Sequence, residues 1–218
     1  MKVRCLAFAL VMIADVTLAG TPWKKLASDG TREVNEQTIT VQHHGAVEVG
    51  FGPHEGAEKL VLKVIDSARS EIHVLAYAFT SAPVTGALLD ARRRGVEVAL
   101  VVDYEQNLVK DRSGKAVHAL SALVNAGCRV RTISAFPIFH DKTVIADRES
   151  VETGSFNYSD AASNRNSENV IVLWKNPELA KVYLNHWELV VASLFRIRID
   201  ADDSLTTGAV VFGDGRTF

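Results

Sequence analysis

Residues 71–103, EIHVLAYAFTSAPVTGALLDARRRGVEVALVVD, contain two apolar runs separated by an amphipathic segment. The runs are Glu71–Phe79 and Val96–Val102, and apolar runs of this length are typical of strands buried on both faces of a sheet. In the intervening segment, Ser81 can cap a helix that has Pro83 in its first turn. A strand–helix–strand pattern of this kind indicates an α/β fold.

The same alternation continues on both sides of this unit. Apolar spacing predicts further helices at 55–69, 114–126, 159–163 and 177–194, and further strands at 47–51, 129–133, 142–146, 150–153 and 168–174. Residues 104–112 are polar and break the pattern, so we expect an exposed loop there. The hairpin-like pair of strands around Asp147 requires some antiparallel pairing. The sequence therefore predicts one domain, residues 46–197, with a mixed central β-sheet sandwiched between helices.

The first nineteen residues have the features of a secretory signal peptide. Lys2 and Arg4 form a basic start, residues 6–13 are apolar, and small residues end the segment at Ala19. The apolar run is shorter than the roughly 20 residues that a bilayer-spanning helix needs. A buried N-terminal strand or helix is the alternative. We expect residues 1–19 to be cleaved and the mature protein to be periplasmic or secreted.

Composition bounds the remaining possibilities. The chain is 47% hydrophobic and 23% charged, which is typical of a folded globular protein and excludes a disordered or fibrous one. Residues 20–45 are polar and predict a flexible leader, and residues 198–218 predict a loose tail. Once the signal peptide is removed, Cys128 is the only cysteine, so we expect a small buried side chain there. The net charge of −2 lacks the basic surplus of most nucleic-acid binders, and charge alone does not identify a substrate.

The stretch from His140 to Glu168, HDKTVIADRESVETGSFNYSDAASNRNSE, is rich in residues that can perform chemistry. His140 and Lys142 are two residues apart, so their side chains point the same way in an extended segment. An imidazole beside an ammonium group is a poor metal site, because the ammonium repels a cation. The pair suits a phosphate, which needs a nucleophile together with cationic and amide donors. No metal is therefore implied.

Three more side chains in this stretch can complete a phosphate site. Ser155 and Asn157 follow Gly154 and add a hydroxyl and an amide donor. Glu168 opens the next predicted strand and can accept the Nδ1–H of an imidazole, which fixes the nitrogen that attacks. Each residue alone is more often structural than catalytic. Their convergence near the ends of strands is the informative feature.

The stretch from His140 to Asn157 resembles, without gap or substitution, the HxKxxxxDxxxxxxGSxN signature of the phospholipase D superfamily. Asp147 is the aspartate of that signature. The resemblance extends from about Val47 to Trp187 and is strongest to the branch of small bacterial endonucleases that carry one motif. It implies a phospholipase D-like fold.

The resemblance also implies a mechanism. His140 would attack phosphorus to form a phosphohistidine, Lys142 and Asn157 would hold the non-bridging oxygens with Ser155 nearby, and Glu168 would support the histidine. No cofactor and no metal are implied. Gly154 and Asp147 would support the motif, although for Asp147 a chemical and a structural role are equally compatible with the sequence.

Members of the family use two such motifs in each active site, because a second histidine protonates the leaving oxygen. None of the other histidines in this chain has a lysine two residues later. The resemblance therefore implies a homodimer in which two copies of His140 meet at a shared active site on a two-fold axis.

Three functions fit these observations. The first is a nuclease that cleaves DNA or RNA, which the short chain favours and the acidic balance weakly disfavours. The second is a phospholipase D that acts on phosphatidylcholine or related lipids, because the signature does not separate the two substrates. The third is a non-catalytic binding scaffold, which the intact histidine and lysine disfavour.

Overall fold

The computed structural model describes residues 39–42 and 45–194. The predicted signal peptide at residues 1–19, most of the predicted leader and the predicted tail at 198–218 lie outside the described residues. All described residues fall within one compact unit of the chain, Ile39–Phe218.

Seven strands form one mixed sheet. They are β1 (Val47–Gly52), β2 (Glu71–Ala76), β3 (Glu97–Asp103), β4 (Arg129–Ile133), β5 (Lys142–Ala146), β6 (Ser150–Gly154) and β7 (Glu168–Leu173). Their order across the sheet is β1-β7-β6-β5-β2-β3-β4. The β2–β3 and β3–β4 pairs are parallel and the other pairs are antiparallel.

The helices cover both faces of this sheet. They are α1 (Ala57–Ser67), α2 (Ala82–Arg93), α3 (Lys115–Asn125), α4 (Asp160–Asn164) and α5 (Pro177–Ser193), with a turn of π-helix at Glu105–Lys110. Val74 and Val144 pack with α1, α2 and α3, whereas Leu75 and Ile145 face α5. Successive strand residues point to opposite faces, so the central strands are buried on both sides. This confirms the predicted sandwich of a mixed sheet between helices.

Local chemistry explains where several elements begin and end. The Ser81 hydroxyl accepts a hydrogen bond from the Val84 amide at 3.2 Å and caps α2, as predicted. β2 was predicted to reach Phe79 but ends at Ala76. The Tyr77 amide still donates to the carbonyl of Asp141, its opposite residue in the β2–β5 register, at 2.9 Å, and the chain then leaves β5 so that Phe79 bridges Tyr158 instead. The last three residues of the apolar run are therefore a loop.

The predicted exposed loop at 104–112 is wrong in its central part. Residues 105–110 form a turn of π-helix, and the Asn107 side chain is only 1% exposed. The polar amide can be buried because it is fully hydrogen-bonded: it accepts from the Phe79 amide and donates to the carbonyls of Tyr77 and Asp103. Polarity of sequence does not imply exposure when such partners exist.

One edge of the sheet gathers the ends of most strands. The C-terminal ends of β2, β3, β4 and β6 lie there together with the N-terminal ends of β5 and β7, as their registers show. We call this border of the sheet, which is formed by strand ends and is distinct from the outer strands β1 and β4, the site edge. At the opposite edge, β5 and β6 are joined by a tight turn in which Asp147 and Arg148 have positive φ angles of 52° and 56°.

Candidate active site

The site edge brings five of the predicted residues together. β5 begins at Lys142, two residues after His140; β6 ends at Gly154, immediately before Ser155; and β7 begins at Glu168. Because β5, β6 and β7 are neighbours in the sheet, these residues converge on one small region. Asn157 lies in the loop that leaves β6.

His140 lies exposed at the centre of this region. Its ring centroid is 4.7 Å from that of Tyr77, and the two planes are tilted by 60°. Its carbonyl accepts a hydrogen bond from Lys142 Nζ at 2.8 Å. The backbone that precedes it is fixed as well, because the Phe139 amide donates to Asp103 Oδ2 at 2.9 Å. The imidazole is thus accessible on a restrained backbone.

Lys142 supplies a cation that is largely shielded from solvent. The residue is 6% exposed, and its Nζ lies 5.3 Å from the centroid of the Tyr77 ring. Burial lowers the pKa of its ammonium group below the ordinary 10.5, and the carboxylates of Asp141 and Glu168 oppose that shift. A shielded ammonium interacts more strongly with a phosphate oxygen than one in water does.

Ser155 and Glu168 form a coupled pair across the ends of β6 and β7. The Ser155 hydroxyl donates to Glu168 Oε2 at 2.5 Å and accepts from the Asn169 amide at 3.0 Å. The other carboxylate oxygen, Oε1, accepts from Asn166 Nδ2 at 3.0 Å.

Glu168 was expected to accept a hydrogen bond from the His140 imidazole, and the structure shows which groups its carboxylate meets instead. The carboxylate lies in the site, but among the described residues it accepts hydrogen bonds from Ser155 and Asn166 rather than from His140. Ser155 follows the strand next to β7, so its hydroxyl is the nearest donor. Within one chain the Ser155 hydroxyl positions the Glu168 carboxylate. The hydroxyl hydrogen of Ser155 is engaged in this bond and is therefore not free to bind a substrate oxygen.

The loop that carries Asn157 is anchored on both sides. The Tyr158 carbonyl accepts from the amides of Thr80 and Ser81 at 2.8 Å, and its hydroxyl donates to the buried Glu152 at 2.8 Å. Asn157 Oδ1 is buried and has no hydrogen-bond partner within the described part of the chain. The backbone on either side of Asn157 is fixed by these bonds and by that of the Ser155 amide to the Asn169 carbonyl at 3.0 Å, which leaves the Asn157 oxygen without a competing protein donor among the described residues.

Gly154 is required by a close backbone approach. A Cβ atom at this position would lie 2.1 Å from the Asn169 carbonyl oxygen of β7. Only glycine lets the two strands approach here, and this approach sets the position of Ser155 against Glu168.

Asp147 does not belong to this group. It lies at the opposite end of β5, roughly 16 Å from Lys142 for a five-residue strand at about 3.3 Å per residue. Its carboxylate accepts hydrogen bonds from the amides of Arg69, Ser70 and Glu71 and from the Ser70 hydroxyl. Partial burial favours a higher pKa, but these hydrogen bonds outweigh it and hold the pKa of the carboxyl below its ordinary value. These contacts fasten the turn before β2 to the β5–β6 turn, away from the other residues of the signature.

Three residues of the site were not identified from sequence. Tyr77 contacts both His140 and Lys142 through its ring. Asp141 Oδ2 lies 2.9 Å from His186 Nε2, which joins the HxK segment to α5. Tyr77 was hidden inside an apolar run and His186 inside an amphipathic helix, so neither carried a signal of its own. Asp141 is the unspecified residue of the HxK pattern.

The described part of the chain has neither a metal-binding cluster nor a membrane-spanning helix. Within 39–42 and 45–194, no group of three or more His, Cys, Asp or Glu side chains could hold a metal ion. In the same part of the chain, no helix is long and apolar enough to cross a membrane.

Comparisons with known proteins agree with this geometry. The family described as "Cardiolipin synthase, PLD-like domain" matches residues 61–189. A phospholipase D of Rickettsia bellii is 34% identical over 164 residues, which span 75% of this chain and 78% of that protein. The crystal structure of Nuc from Salmonella typhimurium, a phospholipase D family member, is 41% identical with a TM-score of 0.65, covering 69% of this chain and 96% of Nuc.

A more distant structure shares the fold alone. NucT from Helicobacter pylori is 22% identical with a TM-score of 0.60, and the match covers 69% of this chain and 98% of NucT. The family match extends over more than half of this chain and includes every residue of the signature. The chain therefore belongs to the phospholipase D superfamily and is a phosphodiesterase of the hydrolase class.

Proposed function

We propose that this protein is a metal-independent endonuclease that hydrolyses phosphodiester bonds of DNA or RNA without strong sequence preference, through a phosphohistidine on His140. The observation that carries the proposal is the arrangement at the site edge. An exposed imidazole lies beside a shielded ammonium group, with the Asn157 amide and the Ser155–Glu168 pair around it.

The proposed reaction has two displacement steps. A ring nitrogen of His140 attacks phosphorus, the bond from phosphorus to one bridging oxygen breaks, and a second histidine gives that oxygen a proton. Water then attacks the phosphohistidine and passes a proton to the second histidine, which frees His140. Lys142 and Asn157 stabilise the charge that develops on the non-bridging oxygens.

The second histidine is proposed to be His140 of the partner subunit. Three features support a two-fold dimer. His140 is exposed, and no second HxK segment exists in the sequence. In addition, Val47, Val49 and Phe51 are 45–55% exposed along one face of the edge strand β1. This apolar strip ends opposite Asn169, whose amide donates to Ser155, so a second copy seated on it would lie next to the site.

Nucleic acid is favoured as substrate by the open site and by nearby cations. Lys110, Arg112 and Lys115 are exposed on the segment that follows β3 at the site edge. Phosphate contacts by lysine and arginine supply most of the non-specific affinity for nucleic acids. Glu105 and Asp111 lie on the same segment and Lys110 Nζ is 3.6 Å from Glu105, so residues 105–115 have a net charge of +1 and supply a small local surplus.

The direct test is incubation of the purified protein with plasmid DNA, with RNA and with a phosphatidylcholine dispersion, each in excess EDTA. We expect cleavage of nucleic acid that EDTA does not abolish and that vanadate or tungstate inhibits, because these ions resemble a pentacoordinate phosphorus. His140→Asn should be inactive and Glu149→Gln, on the exposed β5–β6 turn, should be fully active. Activity that EDTA removes and Mg²⁺ restores would contradict the mechanism.

A phospholipid substrate is the second candidate. It is supported by Ile138, which is 58% exposed only two residues before His140, and by the name of the Rickettsia relatives. An exposed apolar side chain beside the nucleophile suits contact with acyl chains. Release of choline from the phosphatidylcholine dispersion, with DNA and RNA left intact, would favour this candidate over the nuclease.

We also propose that the protein is exported and loses residues 1–19, on the sequence of its N-terminal segment. N-terminal sequencing of protein recovered from the periplasm or medium should start near Gly20. An N-terminus at Met1 in exported protein would contradict the proposal.

A further inference from the structure

We propose that Asp103 and Asn107 are positioning residues, which set the geometry of His140, Tyr77 and Lys142 without touching the substrate. This inference rests on the proposed role of His140 as the nucleophile. It starts from two polar side chains buried just outside the site. Asp103, which is 3% exposed, is the last residue of the buried strand β3, and Asn107, which is 1% exposed, lies in the turn that follows it at the site edge.

Asp103 ties the nucleophile's backbone to the sheet. One carboxylate oxygen, Oδ2, accepts from the Phe139 amide at 2.9 Å, and the other, Oδ1, accepts from the Gln106 amide at 2.7 Å. Phe139 immediately precedes His140 and is itself buried. The segment from residue 134 to 141 lies outside any helix or strand, so this hydrogen bond is a direct restraint on where the exposed imidazole is presented.

Asn107 holds the other wall of the site. Its Oδ1 accepts from the Phe79 amide at 2.8 Å, and its Nδ2 donates to the Tyr77 carbonyl at 2.6 Å. These two bonds bracket the loop that leaves β2 and fix the Tyr77 ring, which packs against His140 and under the Lys142 ammonium group. In this loop the Tyr77 amide bonds to Asp141 and the Thr80 amide to Tyr158, and the Asn107 side chain takes up the Tyr77 carbonyl and the Phe79 amide.

The two side chains act as one unit. Asn107 Nδ2 also donates to the Asp103 carbonyl at 2.7 Å. The π-helical turn at residues 105–110 is one residue wider than an α-helical turn, and it directs the Asn107 side chain inward. The Gln106 amide of this turn donates a hydrogen bond to the Asp103 carboxylate. Such turns occur frequently at functional sites. Every side-chain oxygen and nitrogen of the pair is bonded to backbone that carries a site residue or to the turn itself.

The roles are tested by two nearly isosteric variants. Asp103→Asn places an amide donor against one of two backbone N–H donors, and Asn107→Asp places a carboxylate against two carbonyl oxygens. Both variants should displace the backbone that carries His140 or Tyr77 by up to about 1 Å. For a misplacement of this size we expect kcat to fall by about 10²-fold. KM should change by less than about twofold, because neither side chain contacts substrate and uniform binding is retained.

A matched control separates positioning from simple loss of stability. Ile65→Ala removes buried side-chain volume in α1, near the edge of the sheet opposite the site, and should lower Tm without changing kcat. All variants are assayed in EDTA on bis(p-nitrophenyl) phosphate at a temperature at which each is folded by circular dichroism. Asn107→Ser, which removes the same bonds without adding a charge, replaces Asn107→Asp should the latter not fold.

Amide hydrogen exchange gives a readout that does not depend on turnover. The Phe139 amide should exchange faster in Asp103→Asn, and the Phe79 amide should exchange faster in the Asn107 variants, with neither changed in Ile65→Ala. The inference is overturned if the Asp103 and Asn107 variants keep wild-type kcat, or if their loss falls in KM instead. An active His140→Asn variant would overturn the proposed function and leave the exchange results interpretable by themselves.

Discussion

At the scale of single residues, the position of Asp147 at the opposite edge from His140 favours a structural role over a chemical one. Asp147→Asn keeps a side chain that tolerates the positive φ of 52° but replaces one oxygen acceptor by a donor. We expect the free energy of unfolding to fall by about 1–3 kcal/mol, the range for a buried polar group that loses its partner. The value of kcat should not change, because the residue lies at the opposite edge from His140.

Urea unfolding and steady-state kinetics on the same preparation check this, with Glu149→Gln as the control for a charge change in the same turn. The stability difference should shrink in acid. The folded pKa of Asp147 is depressed, so its contribution is complete above the ordinary pKa of 3.8 and is lost as the pH falls through the folded value. A 10²-fold loss of kcat at unchanged stability would restore a chemical role for Asp147.

Glu152 is a second residue whose ionisation affects the whole fold. It is fully buried in β6, where burial raises its pKa from 4.5 to about 8, although the hydrogen bond from Tyr158 acts in the opposite direction. The folded chain therefore keeps this proton up to about pH 8, whereas the unfolded chain releases it near pH 4.5. Between these values the native state binds more protons, so stability falls as pH rises.

Glu152→Gln removes this dependence. The shift corresponds to about 5 kcal/mol at 1.36 kcal/mol per pKa unit, all of it lost by pH values above about 8. We therefore expect the variant to gain stability over wild type progressively from pH 5 to pH 8.5, measured by urea unfolding at each pH. The exposed Glu149→Gln should show no such trend. A constant difference across this range would mean that Glu152 is ionised throughout.

At the scale of elements, the approach of β6 to β7 fixes the start of the loop that carries Ser155 and Asn157. Gly154→Ala would place a Cβ atom against the Asn169 carbonyl oxygen, and backbone on both strands would have to move. We expect lower stability and a loss of kcat, because Ser155 and Glu168 occupy the ends of these two strands. The measurement is thermal unfolding together with turnover.

Gly86→Ala is the matched control for that substitution. Gly86 lies in α2, and a Cβ atom there would meet nothing within 4 Å. Alanine in a helix interior should stabilise the protein by about 0.5–1 kcal/mol and leave turnover unchanged. If both alanine variants behaved alike, the close approach of β6 and β7 would have no special role.

The elements also show how far sequence reasoning reaches. The strands, the α2 cap at Ser81 and the β5–β6 turn follow from local periodicity and turn chemistry, and the structure confirms them. The early end of β2 was missed because the chain stays apolar as far as Phe79, which is buried beyond the end of the strand. The burial of Asn107 was missed because it depends on a hydrogen bond to a segment far along the chain. The pairing of Glu168 with Ser155 has the same origin. Periodicity reports burial of apolar residues, whereas it carries no information on which polar group meets which.

At the scale of the whole molecule, the proposed mechanism and the proposed dimer have to be considered together. A phosphohistidine mechanism needs a nucleophile and a separate proton donor, and the one HxK segment of the chain supplies a single histidine, His140, to the site edge. His186, which lies on α5, has its Nε2 atom 2.9 Å from Asp141 Oδ2. The apolar strip on β1, Val47, Val49 and Phe51, gives a second copy a surface beside the site. The proposed assembly and the proposed mechanism thus depend on each other.

Mixed dimers test both together. Wild-type chains are combined with His140→Asn chains over a range of ratios and allowed to exchange subunits, with exchange monitored by mass spectrometry. A hybrid dimer has one histidine at its shared site and lacks either the nucleophile or the acid. General acid catalysis alone contributes about 10²–10⁴-fold, so hybrids should be nearly inactive. Specific activity should then fall as the square of the wild-type fraction, whereas mixing with Glu149→Gln chains should leave it constant. A linear fall would mean that each subunit works alone, and the shared site would have to be abandoned.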